Sequence, residues 1–288
     1  MAASQSLRAW VVAVAFLLPS AAAVAQAQPA QNAFEPEYFQ DGKDVVWVPT
    51  PQALVDKMLD LAKVTASDYV IDLGSGDGRT VITAAKRGAR ALGIEYNPDM
   101  VELSRRNALR EGVAGKASFV KADLFERDFS QATVITMFLL PEINVRLRPK
   151  ILDLAPGTRI VSNTFDMGDW EQDETGTIQA DSSTHYRTAY LWIVPAKVAG
   201  TWQLAQGELI LKQTFQMLAG TLRTGGKSLQ ISNGRLRGDQ ISFTAGGAAY
   251  SGRVSGSRIE GSVKAGPAVS HWSATLRAGN RVSSPQSR

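Results

Sequence analysis

Residues Asp72-Leu73-Gly74-Ser75-Gly76-Asp77-Gly78-Arg79 set three glycines at alternate positions together with two carboxylates. Glycine takes positive φ without steric cost and lets bare backbone approach a ligand, so this segment reads as a ligand-cradling turn. Its spacing is G-x-G-x-G, not the G-x-G-x-x-G that seats a pyrophosphate, and no Lys-Ser/Thr follows as in a nucleoside triphosphate loop. Asp72 and Asp77 suit a cationic or zwitterionic ligand better than a phosphate. Glu95, 17 residues after Gly78, can accept both hydroxyls of a ribose. Asp123 stands where an adenine amino group can be bound. Each acid alone is weak; three at the ends of three successive strands, behind a glycine turn, are specific. The chain has no cysteine and only two histidines, His185 and His271. Disulfides, thiolate zinc sites and Cys nucleophiles are excluded, and little remains for a multi-His metal centre or a Ser-His-Asp triad, so no metal is expected.

These residues need elements to hold them. Tyr69–Leu73, Ala91–Glu95, Ala117–Val120, Ala132–Leu140, Arg159–Ser162 and Thr188–Val194 read as apolar strands. Helical periodicity falls on 51–63, 80–87, 99–111 and 147–154, with Thr50 the expected cap of the first helix. Strands alternating with helices predict an α/β fold, doubly wound around a mostly parallel sheet. Its ligands sit beyond the C-terminal strand ends. After residue 197, glycine and Ser/Thr become frequent and short alternating segments follow one another between turns such as Gly225-Gly226, Asn233-Gly234 and Gly246-Gly247. This predicts an antiparallel all-β domain of about eight strands, a small barrel or a sandwich.

The glycine turn with Glu95 and Asp123 resembles the S-adenosylmethionine (SAM) site of class I, seven-strand methyltransferases. Val48-Pro49-Thr50-Pro51, Phe138-Leu139-Leu140-Pro141-Glu142 and Arg159-Ile160-Val161-Ser162 are similar to the lysine methyltransferases of ATP synthase c-subunit and adenine nucleotide translocase and to their bacterial relatives. The resemblance covers roughly residues 45–195. It implies a Rossmann-like sheet, SAM as cofactor, and methyl transfer to an amine, a protein lysine or a small amine. It implies that Asp72, Gly74, Ser75, Gly76, Asp77 and Gly78 line the methionine and ribose part, that Glu95 takes the ribose hydroxyls, and that Asp123 with Leu124 frames the adenine. It also implies that the loop after the fourth strand shapes the acceptor site, through Pro141, Glu142 and Asn144. Gly200-Thr201-Trp202 and Trp272 resemble the tryptophans of lipocalin- and avidin-type barrels.

Arg8 is the only charge before Glu35, and Ala9–Leu18 is an apolar run followed by small residues. Residues 1–25 therefore read as a signal peptide for export to the periplasm or beyond, an uncleaved anchor being the other reading, with no transmembrane span once it is removed. Residues 26–46 read as a linker, 47–197 as the methyltransferase domain, 198–279 as the β-domain and 280–288 as a disordered tail. Residues 26–197 hold 19 Lys/Arg against 24 Asp/Glu, whereas 198–288 hold 11 against 3. A basic β-domain could face an anionic envelope surface, and no specific nucleic acid is expected. The alternative function is thus an exported, non-catalytic module attached to the envelope. A nicotinamide dehydrogenase is disfavoured by the glycine spacing.

Overall fold

Apolar runs without polar alternation become strands covered on both faces. In the computed structural model, which describes residues 34–179 and 185–277, the first such run is β1 (Tyr69–Leu73). With β2 (Arg90–Glu95), β3 (Ala117–Lys121), β4 (Val134–Met137), β5 (Arg159–Asn163), β6 (Glu174–Thr177) and β7 (Thr188–Ile193) it forms one sheet of order β3-β2-β1-β4-β5-β7-β6. β1 to β5 pair in parallel; β7 runs antiparallel to β5 and β6. Successive residues of β1 point to opposite faces, as the strand period requires. Val70 packs with α1 (Gln52–Leu61), α2 (Arg79–Lys86) and α3 (Pro98–Arg110). Ile71 and Leu73 pack with α4 (Pro141–Leu152), Trp170 and Trp192. The doubly wound sheet is the one expected. Residues 1–25 and 280–288, read as signal and tail, lie outside the described residues.

Three local readings change. The fourth strand ends at Met137 and its helix begins at Pro141, not at 147. A proline at the first helical position loses no hydrogen bond, so Pro141 starts the helix early. β6 has no apolar run and was invisible as a strand; its Glu174–Thr177 segment is an edge that pairs only with β7. Thr50 does not cap α1, whose N-cap is Pro51 without a side-chain bond. The Thr50 hydroxyl instead accepts from Asn163 Nδ2 at 3.1 Å, and its carbonyl accepts from Arg79 at 2.8 Å.

The glycine-rich remainder is a closed eight-stranded barrel of consecutive antiparallel strands. They are β8 (Gly200–Leu204), β9 (Gly207–Thr214), β10 (Met217–Thr224), β11 (Lys227–Arg237), β12 (Gln240–Ala245), β13 (Ala248–Ser255), β14 (Arg258–Ala265) and β15 (Ala268–Leu276). β15 pairs with β8, so no free edge remains. Asn233-Gly234 is not a turn: Asn233 has φ of 52° inside β11 and the register shifts there, a bulge that bends the strand. The interior is filled by Trp202, Leu209, Leu222, Leu236 and Ile259, all fully buried.

From Glu35 onward the described residues form one compact unit. The barrel is fixed to the sheet's antiparallel edge. Arg235 donates to Asp173 at 2.7 Å, Arg237 pairs with Glu174, and Gln216 Nε2 donates to Glu171 O at 2.8 Å. The barrel's positive charge is not an open patch. Of its nine described Lys/Arg, six (Arg223, Arg235, Arg237, Arg253, Arg258 and Arg277) stand in ion pairs. The Asp173 side chain is buried and also accepts from Ile193 N at 2.8 Å. Arg235→Ala leaves that carboxylate half-paired and is expected to cost about 1–3 kcal/mol, read as a lower melting temperature.

Candidate active site

β1 lies between β2 and β4, the point where the sheet's connections diverge and where ligands bind in open α/β folds. The glycine turn leaves β1 there. Gly74, Gly76 and Gly78 all have positive φ, at 75°, 51° and 82°. A Cβ on Gly76 would lie 2.8 Å from Trp47 Nε1, and one on Gly78 would lie 2.8 Å from the Phe119 ring. The turn is held from outside: Gly74 N and Ser75 N donate to Ile94 O, Ser104 Oγ donates to Gly76 O, and Asn107 Nδ2 donates to Asp77 O. Ser75 Oγ is buried without a hydrogen-bond partner.

The carboxylates divide in role. Asp72 is buried on β1 and accepts from Thr136 Oγ1 at 2.6 Å. Burial pushes its pKa up to about 8 against the Thr136 bond that lowers it, and Glu95 and Asp77 add to the rise. Glu95 accepts Gly76 N and Asn97 N, each at 2.9 Å, so the turn itself fixes its orientation. Asp77 does not offer a free charge: Arg79 Nε and Nη2 grip it at 3.0 and 2.6 Å. Asp123 pairs with Lys43 and accepts Phe125 N at 2.8 Å, and these bonds hold its pKa below the usual carboxylate range.

These groups line one cavity of about 370 Å³, together with Gly74, Ser75, Gly76, Ile94 and Leu124. Residues 40–49 form one wall. Trp47 N donates to Gln40 O at 2.8 Å, and Phe39 N to Trp47 O at 3.0 Å. The segment read as a linker up to 46 thus runs across the site. Its polar composition hides an order that comes from Lys43 on Asp123 and Trp47 on Gly76.

Of the acceptor-loop candidates, Pro141, Glu142 and Asn144 do not line the cavity; Leu139, Leu140 and Ile143 from the same stretch do. Glu142 is exposed. Asn144 is fully buried and donates to Asp166 O at 2.9 Å, so it holds the loop after β5. The cavity has an aromatic wall instead. Phe138 stacks on Phe165 with centroids 5.9 Å apart and meets Tyr186 edge-on at 4.9 Å. Phe138 opens the Phe138–Glu142 motif; Phe165 and Tyr186 had no local signal. A cavity lined by apolar and π-faces as well as by carboxylates and a glycine cradle suits a cationic nucleoside together with an amine. The uncompensated Asp72, the unpartnered Ser75 hydroxyl and the cradle without Cβ atoms fit SAM.

The ANTKMT methyltransferase domain matches residues 72–174. A protein-lysine N-methyltransferase of Saccharolobus islandicus is 44% identical over 153 residues, covering 52% of this chain and 94% of that protein. The ATP synthase c-subunit lysine N-methyltransferase of Rattus norvegicus is 41% identical over 107 residues, covering 37% of this chain and 50% of that protein. The chain therefore spans about half the length of this mammalian relative. An RNA methyltransferase from Salinibacter ruber, solved with S-adenosyl-L-homocysteine, is 48% identical, with coverage of 52% of this chain and 96% of that one and a TM-score of 0.49.

Asp72 makes the stability depend on pH. Below the usual carboxylate value of 3.8, folded and unfolded chains both hold its proton. As pH rises toward about 8, the unfolded chain has released that proton while the folded chain keeps it, so stability falls across this window. Asp72→Asn is expected to flatten that slope and to raise the melting temperature of the ligand-free protein at the alkaline end, as denaturation at a series of pH values would show.

Proposed function

The chain belongs to the protein-lysine N-methyltransferase family and is a SAM-dependent methyltransferase, and from that premise we propose that it methylates the side-chain amine of a protein lysine. The observation that carries the lysine reading is the aromatic wall of Phe138, Phe165 and Tyr186 in the same cavity as the carboxylates.

SAM supplies a methyl group on a positively charged sulfur. Asp72, Ser75 and the glycine turn would hold its amino-acid and sulfonium part, Glu95 its ribose, and Asp123 with Leu124 its adenine. Glu95 keeps acceptor capacity after its two backbone bonds, and Asp123 would either share Lys43 or release it. Facing a cation, Asp72 is favoured in its ionised form.

The rings act on the acceptor. A lysine ammonium has no lone pair, and desolvation between apolar faces favours its loss of a proton to solvent. The free amine then forms its N–C bond as the C–S bond breaks. The electron pair goes to sulfur, and the positive charge passes to nitrogen. There the π-faces stabilise it. The protein's share is alignment: Leu139 and Leu140 from the end of β4 and Phe165 after β5 set where the amine stops.

Export, read from residues 1–25, is part of this proposal, and a reporter fusion active only outside the cytoplasm tests it. For the chemistry, Glu95→Gln is expected to weaken SAM binding by about 1–3 kcal/mol in calorimetry. Phe138→Leu keeps the apolar volume but loses the π-face. It is expected to leave SAM affinity unchanged while kcat/KM for poly-L-lysine drops about tenfold. Wild-type protein that binds SAM yet labels only RNA in a cell extract would overturn the lysine reading.

A further inference from the structure

The barrel reaches into the methyltransferase core at one point. The β9–β10 turn carries Phe215 with φ of 51°, a conformation that a bulky side chain adopts only where its surroundings hold it. Its ring packs against the core formed by α4, Trp170 and Trp192. It stacks on Trp170 with centroids 5.8 Å apart and planes 16° apart. The Arg148 guanidinium lies 5.2 Å from the ring centroid. The turn is pinned from both sides: Gln213 Nε2 donates to Phe215 O at 2.8 Å, and buried Gln216 donates to Glu171 O.

What Phe215 touches is the scaffold of the cavity wall. Arg148 is buried, donates to Met167 O at 2.7 Å and pairs with Asp169. Trp192 Nε1 donates to Trp170 O at 2.7 Å. The same loop, entered through Thr164 with φ of 62°, carries Phe165 in the cavity and is held below by Asn144. A positive φ at a β-branched residue stores strain that its neighbours must offset. Phe215, Trp170 and Arg148 therefore clamp the far end of a strained loop whose near end is the acceptor wall. The Saccharolobus islandicus relative aligns over 94% of its length with 52% of this chain.

We propose that Phe215 is a positioning residue for methyl transfer, through which the barrel holds the 164–170 loop and sets the place of Phe165 at the acceptor end of the cavity. Cofactor binding does not pass through this clamp, because the glycine turn is held by Ile94, Ser104 and Asn107.

Phe215→Gly isolates the ring, since glycine accepts the backbone conformation. In the full chain, amide exchange at Gly168, Asp169 and Trp170 is expected to speed up about tenfold while Gly74 to Gly78 keep their rates. The KM for poly-L-lysine is expected to rise and kcat/KM to fall by about tenfold, with SAM affinity held and Phe215→Tyr restoring both. Phe215→Leu, which keeps apolar volume, serves as the second variant should the glycine form melt under the assay. Unchanged exchange at 168–170 in both variants, or equal acceleration at 74–78, overturns the proposal. The activity arm rests on the lysine reading; if wild-type protein leaves poly-L-lysine unmodified, that reading fails while the exchange arm still decides the clamp.

Discussion

The methyltransferase half is organised around a buried carboxyl group that it does not pair with a cation. Asp72 lies buried at the end of β1, with the Thr136 hydroxyl as its hydrogen-bond partner and with Glu95 and Asp77 close enough to oppose its charge. Burying an uncompensated acid costs the apo fold stability. The turn that follows it passes close to Leu139, Trp47 and Phe119, which only glycine at 74, 76 and 78 allows. The turn, the anchoring by Ile94 O and the orientation of Glu95 by Gly76 N form one connected arrangement. A cation entering this cavity meets oriented acceptors and favours the ionised form of Asp72, which the empty fold keeps protonated up to about pH 8.

The second constraint lies at the opposite edge of the sheet. β6 is a short polar edge, and an unprotected edge invites pairing with other chains. The barrel is joined to this region by Arg237 on Glu174, Arg235 on Asp173 and the Phe215 turn. Domains joined in one chain commonly move against each other unless the interface is apolar and pinned. Here an aromatic stack and an ion pair to the buried Asp173 carboxylate do the pinning.

How much of this the residues announced depends on whether the cause was local. The glycine turn was legible because its sterics are written in three consecutive alternate positions. Glu95 and Asp123 were legible as acids at strand ends, although the pairing of Asp123 with Lys43 was not. Asn144 was misplaced for a reason of phase: Pro141 starts α4 early and turns residue 144 inward against the β5 loop. Phe165 and Tyr186 come to Phe138 only through tertiary folding, from two loops without periodic pattern. The eight-strand barrel was visible in its turns, but Asn233-Gly234, with the dihedral of a hairpin turn, proved to be a bulge because β11 continues beyond it.

The rings that line the cavity beside the acids have a consequence for the proposed chemistry. A carboxylate beside the acceptor nitrogen would stabilise its ammonium form, raise its pKa and keep the lone pair bound to a proton. Rings impose desolvation, which lowers that pKa, and still welcome the positive charge that nitrogen gains after transfer. Exposure of Glu142, away from the cavity, is therefore consistent with transfer rather than a defect in the site. The acids belong with the sulfur, where a permanent cation must be held without a proton to lose. The wall belongs with the nitrogen, where charge must be absent before the reaction and tolerated after it. On the proposed chemistry, placement of Phe165 becomes a matter of rate, which is why the strained loop behind it and the barrel turn packed against that loop are proposed to matter together.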